Sequence, residues 1–417
     1  MVTTVEAVRS RIATPIPRTD PRTPRRGVRL VAAVVCSRLI VLAAGSAGAL
    51  FMRPLAWRMF DPTGISSGLG SVGNVLAASA VRWDAIGYIT IAQHGYTTAG
   101  STRWFPLYPL LMHLFAPAVG SPVIAGVLIS LTAFGIGLTL VHRIASETLG
   151  SRAADATVLL LAFAPLSFVF SAVYTESLLL ACAAGTFYLA SRGRFRLACV
   201  VAACAALTHI QGVLLVAPLA WMYWESRDRT RNLRRLWSPD LLALSLPPLA
   251  LGGFFLYMHT QGWGWLAPIT NQNVANAGRT LVGPPMVLFD SVKDAVLGLH
   301  HTFHGAAAAG TVLPSPYQNL TYLVWFAITI LGLVSAWRRL PKEYTLFAGL
   351  AILICASSAV SMGPLQGFGR YMMPIFPLCI GLAVWLERHR LTGAVVTIST
   401  LLLILFTIDF TRWVSVF

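Results

Sequence analysis

The stretch of sequence that could carry chemistry most clearly is Val-Arg-Trp-Asp-Ala-Ile-Gly-Tyr at 81–88, which follows the first long apolar run. It places one acid, Asp84, between Arg82 and several aromatic residues. An ionised carboxylate among apolar residues at a membrane surface is costly unless it is paired or has a chemical task. Such a carboxylate could take the proton of a substrate hydroxyl and act as a general base. The structural alternative is an ion pair with Arg82 or Arg370.

A second acid of this kind is Glu176, in the segment Tyr-Thr-Glu at 174–176. Because Glu176 opens an apolar run, it could contact a substrate or simply face the positive end of a helix dipole. The other candidate acids have structural interpretations. Asp61 lies in a turn, where Asp commonly caps backbone groups. Asp409 lies three residues before Arg412 and could pair with it. Asp290 and Asp294 have the spacing of a solvated helix face.

Arg370 follows a Gly-Phe-Gly turn and precedes Tyr371. A planar guanidinium in such a position is well suited to bind two oxygens of a phosphate. The alternative is an anchor that extends to the membrane interface.

Polar and aromatic residues elsewhere could contact a sugar. His209 and Gln211 interrupt the long apolar run 197–224, and their side chains either satisfy backbone groups or face a ligand. Trp263 and Trp265 precede Asn271 and two further amides, a combination that suits a sugar, although tryptophan is also an ordinary interfacial anchor.

No cofactor is expected from the sequence. It contains neither a nucleotide-binding glycine loop nor a Walker motif. His300 and His304 share a helix face and His301 lies beside them, but no nearby acid completes a metal site. The six cysteines lie inside apolar runs without metal-ligand spacing, so we expect them to be small buried residues.

The composition predicts the framework that must position these residues. The chain of 417 residues is 56% hydrophobic and 11% charged, and a soluble protein of this size would need far more charge. Repeated apolar runs near twenty residues long therefore predict an all-α polytopic membrane protein with about eleven transmembrane helices. The net charge of +16 lies in short tracts between these runs and not on one basic face, which argues against a nucleic-acid partner.

The basic tracts also predict the orientation. We interpret residues 1–27 as a disordered basic cytoplasmic tail and 28–417 as one integral-membrane domain. Most basic residues then lie on the cytoplasmic side, provided that 104–118 is re-entrant and that 197–224 crosses twice. The candidate residues collect on the outer side, in the loops 53–103 and 259–317 and in the segments 174–176, 209–211 and 367–371.

Four motifs, in order, resemble those of the PIG-V type mannosyltransferases, the family of the second mannosyltransferase of GPI-anchor assembly. The matching residues are Arg82-Trp83-Asp84, Tyr88, Ile91-Ala92 and Gly95-Tyr96; Trp104-Phe105-Pro106-Leu107-Tyr108-Pro109-Leu110; Tyr174-Thr175-Glu176-Ser177-Leu178; and Gly369-Arg370-Tyr371 with Phe376-Pro377.

The resemblance implies the GT-C fold of integral-membrane glycosyltransferases and a polyprenyl-phosphate sugar as donor. It implies that Asp84 deprotonates the acceptor hydroxyl, which attacks the anomeric carbon with inversion, while Arg370 and Arg82 bind the donor phosphate. The residues expected to contact substrate are Glu176, Tyr88, His209, Gln211, Tyr371, Trp263 and Trp265.

One departure concerns the acceptor and the sugar. Where the family pattern has an Arg-Pro-x-Gly-like sequence, this chain has His209-Ile210-Gln211-Gly212. The Arg-rich, Lys-poor composition is typical of a high-GC, actinobacterial-type organism, which would have no GPI. We therefore expect a plasma-membrane enzyme with its active site outside, and a lipid, a glycolipid or a secreted protein as acceptor. The alternatives are a transporter or flippase for a lipid-linked sugar, and a non-catalytic partner of another glycosyltransferase.

Overall fold

The structure, a computed structural model, describes residues 23–54, 60–226, 238–272, 279–303, 318–360 and 363–416. Apart from turns, short 3-10 helices and one antiparallel pair of two-residue strands, β1 (Thr280–Leu281) and β2 (Ser358–Ala359), this part of the chain is α-helical. The α-helices are α1 (Thr23–Phe51), α2 (Gly70–Leu76), α3 (Asp84–His94), α4 (Leu107–Val119), α5 (Pro122–Leu149), α6 (Ser151–Phe163), α7 (Glu176–Ser191), α8 (Phe195–Thr208), α9 (Val216–Ser226), α10 (Pro239–Ala243), α11 (Leu246–Thr260), α12 (Ala267–Thr270), α13 (Pro284–Phe303), α14 (Gln318–Trp337), α15 (Lys342–Ala356), α16 (Phe368–Met372), α17 (Phe376–His389) and α18 (Thr392–Thr411). The all-α prediction is confirmed.

Several helices have the length and composition of membrane spans. Among the described residues, five apolar helical segments are long enough to cross a bilayer: Gly27–Phe51, Pro122–Leu149, Pro239–Thr260, Gln318–Trp337 and Thr392–Thr411. Large apolar side chains such as Leu39 and Leu401 are exposed on their surfaces, as expected for contact with lipid. The protein is therefore a multi-pass membrane protein. Shorter apolar helices, Leu107–Val119, Glu176–Ser191 and Phe195–Thr208, also lie in the described part of the chain.

Two irregular segments follow the sequence prediction. α4 has 13 residues, which corresponds to about 20 Å and is less than the roughly 30 Å hydrocarbon thickness of a bilayer. The run 197–224 divides at His209, where α8 ends and a 3-10 helix, Ile210–Leu215, leads into α9. The predicted break in this run is confirmed.

Small residues let several helices approach closely. A Cβ atom added at Gly381 of α17 would overlap the Gly332 carbonyl of α14, and one added at Gly48 of α1 would overlap Thr411 of α18. Close backbone approach through small residues is a common way for membrane helices to associate. The largest apolar cluster runs through the middle of the molecule and brings α5, α7 and α17 together.

Arg38 lies within α1, and its guanidinium is hydrogen-bonded to the protein. Its guanidinium donates hydrogen bonds to the carbonyls of Ala162 and Ser167 and to the Ser167 and Ser171 hydroxyls. It also lies 4.8 Å from the centre of the Phe134 ring. These contacts give Arg38 a structural role in joining α1 to the segment between α6 and α7.

The predicted cytoplasmic tail, 1–27, lies mostly outside the described residues. α1 begins at Thr23, so residues 23–27, the last five of the predicted tail, belong to this helix.

Candidate active site

The turn that carries Asp84 has a constrained backbone. Trp83 adopts φ 54°, uncommon for a non-glycine residue, and α3 begins directly after it. The turn is tied to the segment before α7, because the Val173 amide donates to the Ala80 carbonyl (3.0 Å) and the Tyr174 hydroxyl donates to the Arg82 carbonyl (3.2 Å). These bonds bring the start of α3 next to the start of α7.

Three charged side chains meet at these helix ends. Arg370, in α16, places Nη2 2.8 Å from Asp84 Oδ2 and Nε 2.7 Å from Glu176 Oε1. The Glu176 and Arg370 side chains are 4% and 7% exposed, whereas Asp84 is 23% exposed. We call these three residues the charged triad. Asp84 is its most accessible member.

Tyrosines enclose the triad. The guanidinium carbon of Arg370 lies 4.8 Å from the Tyr174 ring centre and 5.0 Å from that of Tyr371. The Tyr88 hydroxyl lies 3.4 Å from Thr175 Oγ1, next to Glu176. The structure thus brings Tyr88 and Tyr371, both expected to contact substrate, to the triad.

Two arginines that the sequence analysis did not select, Arg103 and Arg279, lie near the triad and act on Asp84 electrostatically. Arg279 donates to Ser358 Oγ (3.0 Å) and lies 5.7 Å from the Tyr371 ring centre. Arg103 stacks on Trp104, and its Nη1 has no hydrogen-bond partner in the described part of the chain. The only sequence signal for Arg103 and Arg279 is that both are basic residues on the predicted outer side, where basic residues are few.

Charges decide the protonation state at this site. Burial alone would raise the pKa of Asp84, but Arg370, Arg103 and Arg279 outweigh burial and hold that pKa below its ordinary value. Burial would likewise lower the pKa of Arg370, yet Glu176 and Asp84 raise it well above its ordinary value. The Asp84 carboxylate is therefore ionised and available as a proton acceptor.

His209 and Gln211 lie beside the triad at the break between α8 and α9. The His209 ring is 5.5 Å from the Tyr371 ring and 6.5 Å from that of Phe105. Gln211 is 1% exposed and donates through Nε2 to Cys355 Sγ (3.4 Å). His209 lies within electrostatic reach of Arg370, Arg279 and Asp84, and the Gln211 backbone amide donates to the His209 ring (3.3 Å).

The two tryptophans of the loop after α11 have different positions. Trp263 packs against the cluster of Phe105, Phe254 and Met258, and so lies on the side of the molecule where Phe105 meets His209. Trp265 is 51% exposed and stacks on His259 at 4.5 Å, with no contact to the triad. Asn271 donates to Thr102 Oγ1 (2.9 Å), so it supports the loop around Arg103.

The Arg82 side chain contacts the end of the last helix. Its Nε donates to the Thr411 carbonyl (2.8 Å), its Nη1 donates to the Val81 carbonyl (2.7 Å), and its guanidinium lies 5.2 Å from the Trp413 ring centre. Because the unusual backbone of Trp83 separates them, Arg82 extends to the end of α18 while Asp84 faces Arg370. The structure shows that Arg82 connects the Asp84 turn to the last helix, and its contact with the donor phosphate stays a prediction.

The remaining acids behave as the sequence indicated. Asp61 accepts hydrogen bonds from the Ile65 and Ser66 amides, as a turn cap does. Asp409 lies 3.5 Å from Arg412. Among the described residues no group of three or more His, Cys, Asp and Glu could hold a metal ion, and the predicted metal candidate His304 lies outside them.

Comparison with known proteins identifies the fold. No family model matches the sequence, and no curated protein sequence does. The structure is similar to the crystal structure of ArnT from Cupriavidus metallidurans bound to undecaprenyl phosphate, with a TM-score of 0.50 and 12% identity, over 93% of this chain and 76% of that one.

Two crystal structures of the Archaeoglobus fulgidus oligosaccharyltransferase are also similar. One is a complex with zinc and sulfate (TM-score 0.40, 14% identity, 92% of this chain and 53% of that one). The other carries a tethered acceptor peptide (TM-score 0.42, 13% identity, 93% and 55%). This chain spans about half the length of that protein.

The similarity to ArnT extends over nearly the whole chain. The protein therefore has the GT-C type of helical membrane fold that the four sequence motifs predict.

Proposed function

We propose that the protein is a glycosyltransferase that moves a sugar from a polyprenyl-phosphate donor to an acceptor hydroxyl, with inversion at the anomeric carbon. The observation that carries the proposal is the charged triad, in which a buried arginine joins two carboxylates and the more exposed carboxylate, Asp84, is ionised. Burial of charged groups costs free energy in a membrane protein, so a buried group of three charges indicates a functional site.

Asp84 is proposed as the general base. It takes the proton of the acceptor hydroxyl, whose oxygen forms the new bond to the anomeric carbon. The bond from that carbon to the phosphate oxygen breaks, and the electron pair leaves with the polyprenyl phosphate. Positive charge near the phosphate stabilises the negative charge that develops on this leaving group.

Arg370 is proposed to bind the donor phosphate, but only after a rearrangement. In-line attack needs the sugar between base and phosphate, so Asp84 and Arg370 must be several ångströms apart during transfer. They are instead in direct contact at 2.8 Å. We propose that the donor phosphate replaces Asp84 as the partner of Arg370, so that donor binding also frees the base.

Arg279 and Arg103 support this exchange. No carboxylate of the described residues lies within ion-pair distance of either guanidinium. They can therefore attract a phosphate without first giving up an ion pair. Glu176, which is bound to Arg370 and almost completely buried, is proposed to hold Arg370 in place. This role replaces the substrate contact predicted for Glu176.

The finer assignment is a mannosyl donor and a lipid or glycolipid acceptor at the outer face of the plasma membrane. The four motifs shared with the PIG-V type family support mannose, and the distribution of basic residues supports the outward orientation. The presence of undecaprenyl phosphate in the similar ArnT structure supports a polyprenyl-phosphate lipid as partner.

Transfer by purified protein tests the proposal. Wild-type protein in lipid nanodiscs should move labelled mannose from polyprenyl-phosphate mannose to a lipid extract, and Asp84→Asn should lower the rate by about 10²- to 10⁴-fold. Asp409→Asn, which removes a partly exposed acid paired with Arg412 at the end of α18, should leave the rate unchanged. Near-normal transfer by a folded Asp84→Asn protein would show that Asp84 is structural, and transfer by neither protein would favour a transporter or a non-catalytic partner.

A further inference from the structure

Only one end of the Gln211 side-chain amide has a hydrogen-bond partner among the described residues. Its Nε2 contacts Cys355 Sγ, while Oε1 is buried and has no hydrogen-bond partner among the described residues. An unpartnered buried polar atom destabilises a folded protein, because it loses its bonds to water without replacing them. A group bound next to Gln211 would restore the missing bond.

The missing partner can be identified by its chemistry. The two ends of a glutamine amide are interchangeable in position, so the unpartnered atom is either the acceptor oxygen or the donor nitrogen. A hydroxyl both donates and accepts. It is therefore a suitable partner in either orientation of the amide, whereas a phosphate could serve only one.

His209 presents a matching donor. The backbone amide of Gln211 donates to His209 Nδ1 (3.3 Å), so in the neutral ring the proton is on Nε2. Burial, together with the charges of Arg370 and Arg279, lowers the pKa of His209 to about 3. The ring is neutral at physiological pH, and it offers a hydrogen bond without a charge.

Aromatic rings lie on both sides of this pair. The Phe105 ring is nearly parallel to the His209 ring, at an angle of 27°, and the Tyr371 ring lies at the side nearer to Arg370. Apolar ring faces beside an uncharged donor and an amide are suited to a sugar ring, whose faces carry C–H groups and whose edges carry hydroxyls.

We infer that Gln211 and His209 form a subsite that recognises a sugar hydroxyl next to the charged triad, at the position where the family motif has a charged Arg-Pro-x-Gly-like sequence. This subsite rests on the proposed function, and it would explain how the enzyme distinguishes one sugar from another. The hydroxyl belongs either to the sugar of the donor or to the acceptor, and the following experiment separates these sources.

The experiment compares two lipids that differ only in the sugar. Dissociation constants of nanodisc-embedded protein are measured for polyprenyl-phosphate mannose and for bare polyprenyl phosphate. In Gln211→Met and His209→Phe the preference for the mannosylated lipid should fall about tenfold, the order expected for a lost hydrogen bond, while affinity for the bare lipid is unchanged. Gln318→Leu, which removes a buried amide that binds the Ser415 carbonyl, should change neither constant, and His209→Phe alone serves if Gln211→Met does not fold.

The acceptor is tested with the same variants. An unchanged donor preference with an acceptor KM raised about tenfold would assign the hydroxyl to the acceptor and support the subsite. If wild-type protein transfers mannose and the variants retain both donor preference and acceptor KM, the subsite is contradicted and the proposed function is not. A wild-type protein that neither binds the mannosylated lipid nor transfers its sugar contradicts both.

Discussion

At the scale of single residues, the charges around Arg370 do not balance by themselves. One guanidinium contacts two carboxyl groups, Asp84 and Glu176, and its single positive charge cannot balance both when both are ionised. Arg103 and Arg279 supply the compensating positive charge nearby. A buried ion pair of this kind contributes little net stability, but removal of one partner is strongly destabilising because it leaves the other charge unpaired.

The two-sided contact of Arg370 leads to a first prediction. Arg370→Lys keeps the charge but cannot bind both carboxylates with a planar fork. We expect transfer from the polyprenyl-phosphate donor to fall by about 10²-fold, with donor affinity weakened more than the acceptor KM. Steady-state kinetics with each substrate varied in turn gives both values.

A matched control is Arg412→Lys, which alters the partly exposed partner of Asp409 and should leave both constants unchanged. Equal weakening of donor and acceptor use by Arg370→Lys would contradict a specific contact with the donor phosphate.

The second prediction concerns pH. Asp84 acts as a base only when ionised, so kcat/KM should rise with pH through its pKa, which the surrounding arginines lower. Arg103→Gln removes one of these charges and should raise that pKa, so that the acidic limb of the profile moves to higher pH. An acidic limb that stays in place would show that Arg103 does not act on the titrating group.

The members of the triad could be predicted from the sequence because acids and arginines are rare among apolar residues. A charge there is costly unless it is paired or has a chemical task. The direction of the Arg82 side chain could not be predicted, because the backbone of Trp83 determines it and the sequence does not show that backbone. Arg103 and Arg279 were missed because only the folded chain brings them near Asp84.

At the scale of elements, the site depends on the break between α8 and α9. Gly212 follows Gln211, and a Cβ atom there would overlap the carbonyl of Ala205 in α8. The 3-10 helix that carries Gln211 can therefore lie against α8 only if residue 212 is glycine.

The third prediction follows from this contact. Gly212→Ala should lower the free energy of unfolding by about 1–3 kcal/mol through overpacking, measured by thermal denaturation in detergent, and should also weaken sugar transfer. Gly185→Ala is the control, because an added Cβ in α7 would meet Val201 at an ordinary 3.4 Å. Equal melting temperatures for the two variants would show that the α8–α9 break tolerates a side chain.

Elements were predictable where the sequence carries a local signal. The polar residues inside 197–224 marked the helix break, and the prolines of 104–118 marked a short helix.

At the scale of the whole molecule, orientation decides whether Asp84 can meet a donor presented outside the cell. Reporter fusions at residue 340 should read cytoplasmic, and fusions at residue 70 should read external, because most basic residues flank the predicted inner ends of the spans. A cytoplasmic signal at residue 70 would separate Asp84 from the proposed donor.

The fold was accessible from the sequence through motifs rather than overall similarity. Identity to ArnT is only 12% over most of the chain, yet the segments around Asp84, Glu176 and Arg370 occur in the order that the GT-C resemblance requires. Identity of the acceptor depends on the shape of the cavity around these residues, and no short motif encodes that shape.

The most direct test of the central claim is a cryo-electron microscopy structure of the protein with polyprenyl phosphate bound. We expect phosphate density in contact with Arg370, with Arg279 or Arg103 close by. We also expect the distance between Asp84 and Arg370 to be clearly longer than 2.8 Å. Phosphate bound elsewhere, with the pair between Asp84 and Arg370 intact, would contradict the central claim.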